Sequence, residues 1–146
     1  MIYTTHSADE TIALGEKIGE KLSKGDVIAF KGNLGSGKTT ITRGISMGLG
    51  LGDNVTSPTF SLVNEYRGKE KSLIHFDMYR ISNPDDVEFT GFWDYLEEGC
   101  ILAVEWSENI SDVIPKSSII ISFKRIDDNT REIEISGDER FDDTWN

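Results

Sequence analysis

Basic side chains are scarce in this chain. Lys and Arg number 15 against 26 Asp and Glu, a net charge of −11. Phosphate backbones are gripped by clustered Lys and Arg, so this balance excludes a broad nucleic-acid surface. It leaves room for an anion only in a locally specialised pocket, and the carboxylates could hold metal ions. Cysteine is nearly absent: Cys100 stands alone, which excludes an intramolecular disulfide and fits a cytoplasmic setting. No apolar run approaches the roughly 18–20 residues of a membrane helix, so no membrane partner is expected. The opening MIYTTHSADE has no basic stretch leading into an apolar one, so no secretory signal is expected. Proline occurs three times and is scattered with glycine at turns; there is no linker, repeat or low-complexity tract. What remains is 146 residues, 37% apolar and 28% charged, enough for one packed core. One domain over residues 1–137 is expected, followed by an acidic tail, 138–146, in which Phe141 and Trp145 are possible anchors.

Ser7-Ala8-Asp9-Glu10 has the form of a capping box, and Ile12, Leu14, Ile18 and Leu22 follow at helical spacing before Gly25. The segment before it reads as loose, and His6 is assigned no role. Val27–Phe30 reads as a buried strand and Lys38–Leu49 as a helix. Phe60–Tyr66 and Ser72–Phe76 read as a hairpin, Asn83-Pro84-Asp85-Asp86 as a helix start, and Cys100–Val104 as a buried strand. Ser107–Ile114 reads as a short helix stopped by Pro115. Ile119–Phe123 and Arg131–Ile135 flank Asp127-Asp128-Asn129 as a closing hairpin. Strands alternating with helices, and a hairpin last, predict an α/β sandwich with a mixed, mostly parallel central sheet and helices on both faces.

Between the first buried strand and its helix, Gly32-Asn33-Leu34-Gly35-Ser36-Gly37-Lys38-Thr39 matches G-x-x-x-x-G-K-[ST] in full. Glycines let successive backbone N–H groups curl around one anion, and the following helix adds its positive end. Lys38 would neutralise the β- and γ-phosphates, and the Thr39 hydroxyl would ligate Mg²⁺. The competing reading is a glycine turn that caps a helix and binds nothing; a strand before and a helix after make a nucleoside triphosphate the stronger inference.

Such a loop needs a carboxylate to organise its metal. Leu73-Ile74-His75-Phe76 ends in Asp77, and Ile101-Leu102-Ala103-Val104 ends in Glu105. Strands parallel to the first would bring both acids to the ligand edge of the sheet. One would hold Mg²⁺ with Thr39 and the other would orient or activate water. Either could instead cap a helix or pair with Arg80. His75 alternates with apolar neighbours and reads as structural, and Cys100 as an apolar core residue. Trp106, next to Glu105, lies close to any such site. Thr56-Ser57-Pro58-Thr59-Phe60 has the character of a switch, with Ser57 or Thr59 touching the γ-phosphate, or of an ordinary turn.

No N-K-x-D for guanine follows, which disfavours a GTPase, and the six arginines do not cluster as a kinase lid would need. The blocks GNLGSGKTT from Gly32 to Thr40, Thr42-Arg43-Gly44, SPTFSLV from Ser57 to Val63, His75-Phe76-Asp77-Met78-Tyr79-Arg80 and Glu105-Trp106 together resemble the TsaE family. These are P-loop ATPases needed to make N6-threonylcarbamoyladenosine in tRNA. The resemblance spans Asp9 to Pro115. It implies that Leu34, Gly35, Ser36, Gly37, Lys38, Thr39 and Thr40 bind ATP phosphates. By the same resemblance Thr39 and Glu105 hold Mg²⁺, Asp77 serves hydrolysis with Lys38, the block with Thr59 switches, and Trp106 borders the nucleotide. It further implies that adenine lies near Ser7, Ala8 and Asn129. The family acts through the TsaB and TsaD proteins and meets tRNA only indirectly; a monomer is expected. A small-molecule kinase and a nucleotide-sensing interaction module are the alternatives.

Overall fold

A computed structural model of the protein describes residues 1–32, 37–52, 63–79, 81 and 83–141. Among the described residues seven strands form one sheet: β1 (Ile2–Thr5), β2 (Val27–Lys31), β3 (Val63–Tyr66), β4 (Leu73–Asp77), β5 (Ile101–Glu105), β6 (Ile119–Arg125) and β7 (Arg131–Ser136). The spatial order is β1-β7-β6-β2-β5-β4-β3. The centre β6-β2-β5-β4 is parallel, and the margins β1-β7-β6 and β3-β4 are antiparallel. This is the mixed α/β architecture expected from the alternation of strands and helices.

Two helices, α1 (Ala8–Lys21) and α2 (Lys38–Gly48), cover one face. Ile18, Ile41 and Ile45 there meet Ile28, Phe30, Ile101 and Ile121 from the strands. The other face packs Ile74, Phe76, Leu102 and Val104 under 3-10 turns and α3 (Phe92–Glu97). The helices lie backbone to backbone: a Cβ built on Gly15 would stand 2.5 Å from the Ile41 carbonyl oxygen, and Gly44 and Gly48 meet α1 as closely. Two G-x-x-x-G pairs, Gly15/Gly19 and Gly44/Gly48, thus set how near α2 can come. That spacing is plain in the sequence, though composition alone suggests only flexible exits.

Ser7 caps α1 as the capping box predicts, its hydroxyl accepting from the Glu10 N–H at 3.1 Å. The Glu10 carboxylate reaches back to the N–H of His6 rather than of Ser7. The residues before it are not loose: Ile2–Thr5 pairs with Arg131–Glu134. Four residues are too few for a periodic signal, and the partner strand lies more than a hundred residues away. The helix expected over Ser107–Ile114 shrinks to one 3-10 turn, Ser107–Ile110. Beyond it Val113 and Ile114 both donate to the Ile110 carbonyl, a shared acceptor that closes a turn without extending a ladder. Helix α3 is short and follows Gly91 in a left-handed conformation (φ 82°), too brief for helical periodicity to mark it. Phe141, in the acidic stretch, is fully buried in the α1/α2 core. Trp145 lies outside the described residues.

Candidate functional site

The two carboxylates expected to serve one ligand are register partners. Asp77 sits opposite Glu105 on neighbouring parallel strands, and β5 runs parallel to β2. The two-residue period of a strand puts Leu73, His75 and Asp77, with Ile101, Ala103 and Glu105, on the face that α1 and α2 cover. Both acids therefore emerge at the carboxyl edge of the sheet, where β2 feeds its glycine loop.

Gly32 and Gly37 bracket that loop; residues 33–36, with Leu34, Gly35 and Ser36, lie outside the described residues. Gly32 has φ 133°, and a Cβ there would meet the Phe123 carbonyl oxygen at 2.8 Å. Gly37 has φ 111° and forms the N-cap of α2 with no side-chain hydrogen bond to the first turn. Among the described residues no side chain caps the opening N–H groups of α2, and uncapped N–H groups at a helix start are the usual basis of phosphate binding. Lys38 follows, buried, its ammonium 5.6 Å from the centre of the Trp106 indole. Thr39 and Thr40 are half-buried on the same turn.

Trp106 is, among the described residues, the one non-glycine residue in the left-handed region, at φ 58°. Such a backbone costs about 1–3 kcal/mol and persists where its surroundings hold it. Here Ser107 donates its hydroxyl to the Phe30 carbonyl at 3.1 Å, and Tyr79 packs on the indole at 4.9 Å between ring centres. The sharp turn after β5 thereby presents the ring to Lys38. The strand tips are tied as well: the Met78 N–H donates to the Glu105 carbonyl at 3.0 Å, and the Asn109 amide donates to the Met78 carbonyl at 2.8 Å.

The two acids differ in what they already do. Asp77 Oδ1 accepts the Tyr79 N–H at 2.9 Å. Glu105 is buried, and its Oε2 lies 2.6 Å from His75 Nε2, yet off the direction of a ring N–H, so the pair is close without being a formed hydrogen bond. A carboxylate whose Oε2 faces His75 has its other oxygen to offer a hard cation. Among the described residues no cluster of three or more His, Cys, Asp or Glu could hold a metal by itself. The donor set thus fits Mg²⁺ shared between a carboxylate, the Thr39 hydroxyl and phosphate oxygens, the common way that ion is held. Arg80, Ser57 and Thr59 lie outside the described residues.

Ser7, Ala8 and Asn129 line one small cleft of about 120 Å³ beside Gly37 and Thr40. The start of α1 and the β6–β7 turn meet there because β1 and β7 pair antiparallel. Thr11, Asp128 and Arg131 line it too, and no motif in the sequence marks them. The turn is fixed by Asp127, whose Oδ1 accepts the N–H groups of Asn129 at 2.9 Å and Thr130 at 2.8 Å. Those bonds, the Asn129 N–H first, hold its carboxyl below the usual range. A larger cleft of about 610 Å³ lies at the opposite edge, between Gly48–Leu51 and Arg67–Lys71. Size does not make it the site: Arg67 is engaged by Glu65 and Glu98, and Lys71 donates to the Leu22 carbonyl. Ligands of parallel sheets gather at the carboxyl ends of the strands.

Residues 5–133 match the family model described as threonylcarbamoyl adenosine biosynthesis protein TsaE. The chain is 39% identical over 129 residues to the tRNA threonylcarbamoyladenosine biosynthesis protein TsaE of Haemophilus influenzae, covering 85% of this chain and 81% of that one. It is 36% identical to the protein of the same name from Bacillus subtilis, with 90% and 82% covered. The crystal structure of Bacillus subtilis YdiB superposes with a TM-score of 0.75 at 30% identity, over 97% of this chain and 88% of that one.

Proposed function

The chain belongs to the TsaE family, and from that premise we propose that it is a Mg²⁺-dependent ATPase supporting threonylcarbamoyladenosine formation in tRNA through TsaB and TsaD. The observation that carries the hydrolytic part is the register of Asp77 with Glu105 at the tips of strands parallel to β2, at the edge where α2 opens on Lys38. ATP is the substrate. The N–H groups opening α2 and the Lys38 ammonium take the charge that develops on the transferred phosphoryl group. Thr39 and Glu105 would hold the Mg²⁺. Bound there, the ion would supply positive charge to the phosphate oxygens. Asp77, beside Glu105 but tied to the Tyr79 N–H, orients the attacking water and accepts its proton. Water adds to the γ-phosphorus as the bridging bond to ADP breaks, giving ADP and phosphate. Adenine fits the cleft of Ser7, Ala8 and Asn129, and Trp106 borders the nucleotide. The charge of −11 suits a protein that meets tRNA through its partners.

The test is phosphate release with and without Mg²⁺, and with and without TsaB and TsaD. Release should require Mg²⁺ and rise with the partners. Asp77→Ala should keep nucleotide binding and lose turnover by about a hundredfold or more. Glu105→Ala should lose the Mg²⁺-dependent share of activity. Normal turnover in Asp77→Ala, with no nucleotide bound by Glu105→Ala, would reverse these roles. Transfer to a nucleoside or sugar acceptor would make the protein a kinase. ATP-dependent capture of the partners without any release would make it a binding module.

A further inference from the structure

We propose that His75 is a positioning residue for Glu105, its ring Nε2 fixing the orientation in which that carboxylate meets the cation; the inference rests on the Mg·ATP reading above. His75 is fully buried on β4 between Ile74 and Phe76, where an apolar side chain would carry no polar cost. Neither ring nitrogen has a hydrogen-bond partner among the described residues, and neither does Glu105 Oε2. Buried polar atoms left so are expensive, about 1–3 kcal/mol each, and call for an explanation.

These orphaned atoms face one another. Nε2 and Oε2 are 2.6 Å apart, the separation of a charge-assisted hydrogen bond, and only the angle is missing. The last torsion of a glutamate is soft, so a turn of the carboxylate can supply the angle. A cation drawing on the other oxygen would make that turn. Among the described residues Nδ1 has no bond that would compete for the ring proton. Asp77 is engaged differently, its Oδ1 accepting the Tyr79 N–H. Metal-bound carboxylates are commonly oriented by a hydrogen bond from a second residue, and losing that residue costs about 10–100-fold in metal affinity or activity.

Calorimetry of a non-hydrolysable ATP analogue, with and without Mg²⁺, separates positioning from packing. In His75→Asn and His75→Leu the strengthening of nucleotide binding by Mg²⁺ should shrink about tenfold or more, with metal-free affinity unchanged. In His75→Gln, whose amide nitrogen reaches the place of Nε2, it should return. Wild-type coupling in folded His75→Leu overturns the proposal, as does equal behaviour of the Gln and Asn variants. If His75→Leu does not fold, the Gln and Asn pair decides. If those fail to fold too, the residue is architectural and the proposal falls. Absence of any Mg²⁺ effect in the unaltered protein instead defeats the Mg·ATP reading itself.

Discussion

The two edges of the sheet are built on opposite terms. At the amino edge charges are spent on one another. Arg140 donates to Asp26 at 2.8 Å and to Asp138 at 2.7 Å, and Arg67 pairs with Glu98 at 2.9 Å. Lys21 and Lys71 donate to the carbonyls of Arg140 and Leu22. Even Cys100 is settled there, buried, its thiol pushed up by that burial. At the carboxyl edge the β6–β7 turn is closed likewise, Arg125 pairing with Asp128, but around Glu105 and the start of α2 the reverse holds. Among the described residues no side chain caps the start of α2, Glu105 and His75 keep buried atoms without aligned partners, and Trp106 holds a strained backbone. Closed networks hold a fold together; unspent donors and acceptors are what a ligand can complete.

That contrast breaks if changes at the two edges have similar consequences. The largest expected effect is at Lys38. Lys38→Ala should lower phosphate release by about a hundredfold to a thousandfold, the cost of removing a donor aimed at developing charge. The ligand-free protein should lose no more than about 0.5–1 kcal/mol, its contact with the Trp106 ring. Phosphate release and a denaturant melt on the same preparation check both halves. Arg140→Ala should do the converse. It leaves two partly buried carboxylates, Asp26 and Asp138, without their donor and should cost about 1–2 kcal/mol of stability. Turnover per folded molecule should stay within about twofold. A turnover loss in Arg140→Ala beyond the unfolded fraction would show the edges to be coupled.

The sequence carries this contrast unevenly. The carboxyl edge is legible because its chemistry sits in short blocks: Gly32–Thr39 names the phosphate loop, and an acid closing an apolar run names Asp77 and Glu105. That they share a register, and that the β6–β7 turn comes beside Ser7 and Ala8, needs the sheet order, which no local pattern holds. His75 reads as structural because period two shows only that it lies inward. Its nearness to Glu105 depends on how β4 and β5 are staggered. The amino edge is almost illegible. Asp26, Arg67, Glu98, Asp138 and Arg140 are ordinary surface letters spread along the chain, and only the fold brings them together. Strand β1 escapes for the same reason, its pairing with β7 being as remote as any in the molecule.

The smallest effect is also the one that tests whether the amino edge acts through charge. The Asp138 carboxyl is held below its ordinary value of 3.8, chiefly by the hydrogen bond from Arg140. A carboxylate depressed in the folded state lends stability that is in full force above the unfolded value. That stability is lost as pH falls through the folded value. The gain should therefore be present at pH 6 and fade below about pH 4, where the unfolded chain takes up the proton first. Asp138 is partly open to solvent, so water screens the pair and the amount should stay under about 1 kcal/mol. Asp138→Asn keeps the shape and removes the charge. Its stability, from urea melts at pH 6 and pH 3, should fall less between the two than that of the unaltered protein. Phosphate release at neutral pH should not change. An equal fall in both proteins would mean that Arg140 acts here through hydrogen-bond geometry alone, and the amino edge would then be closed by shape rather than by charge.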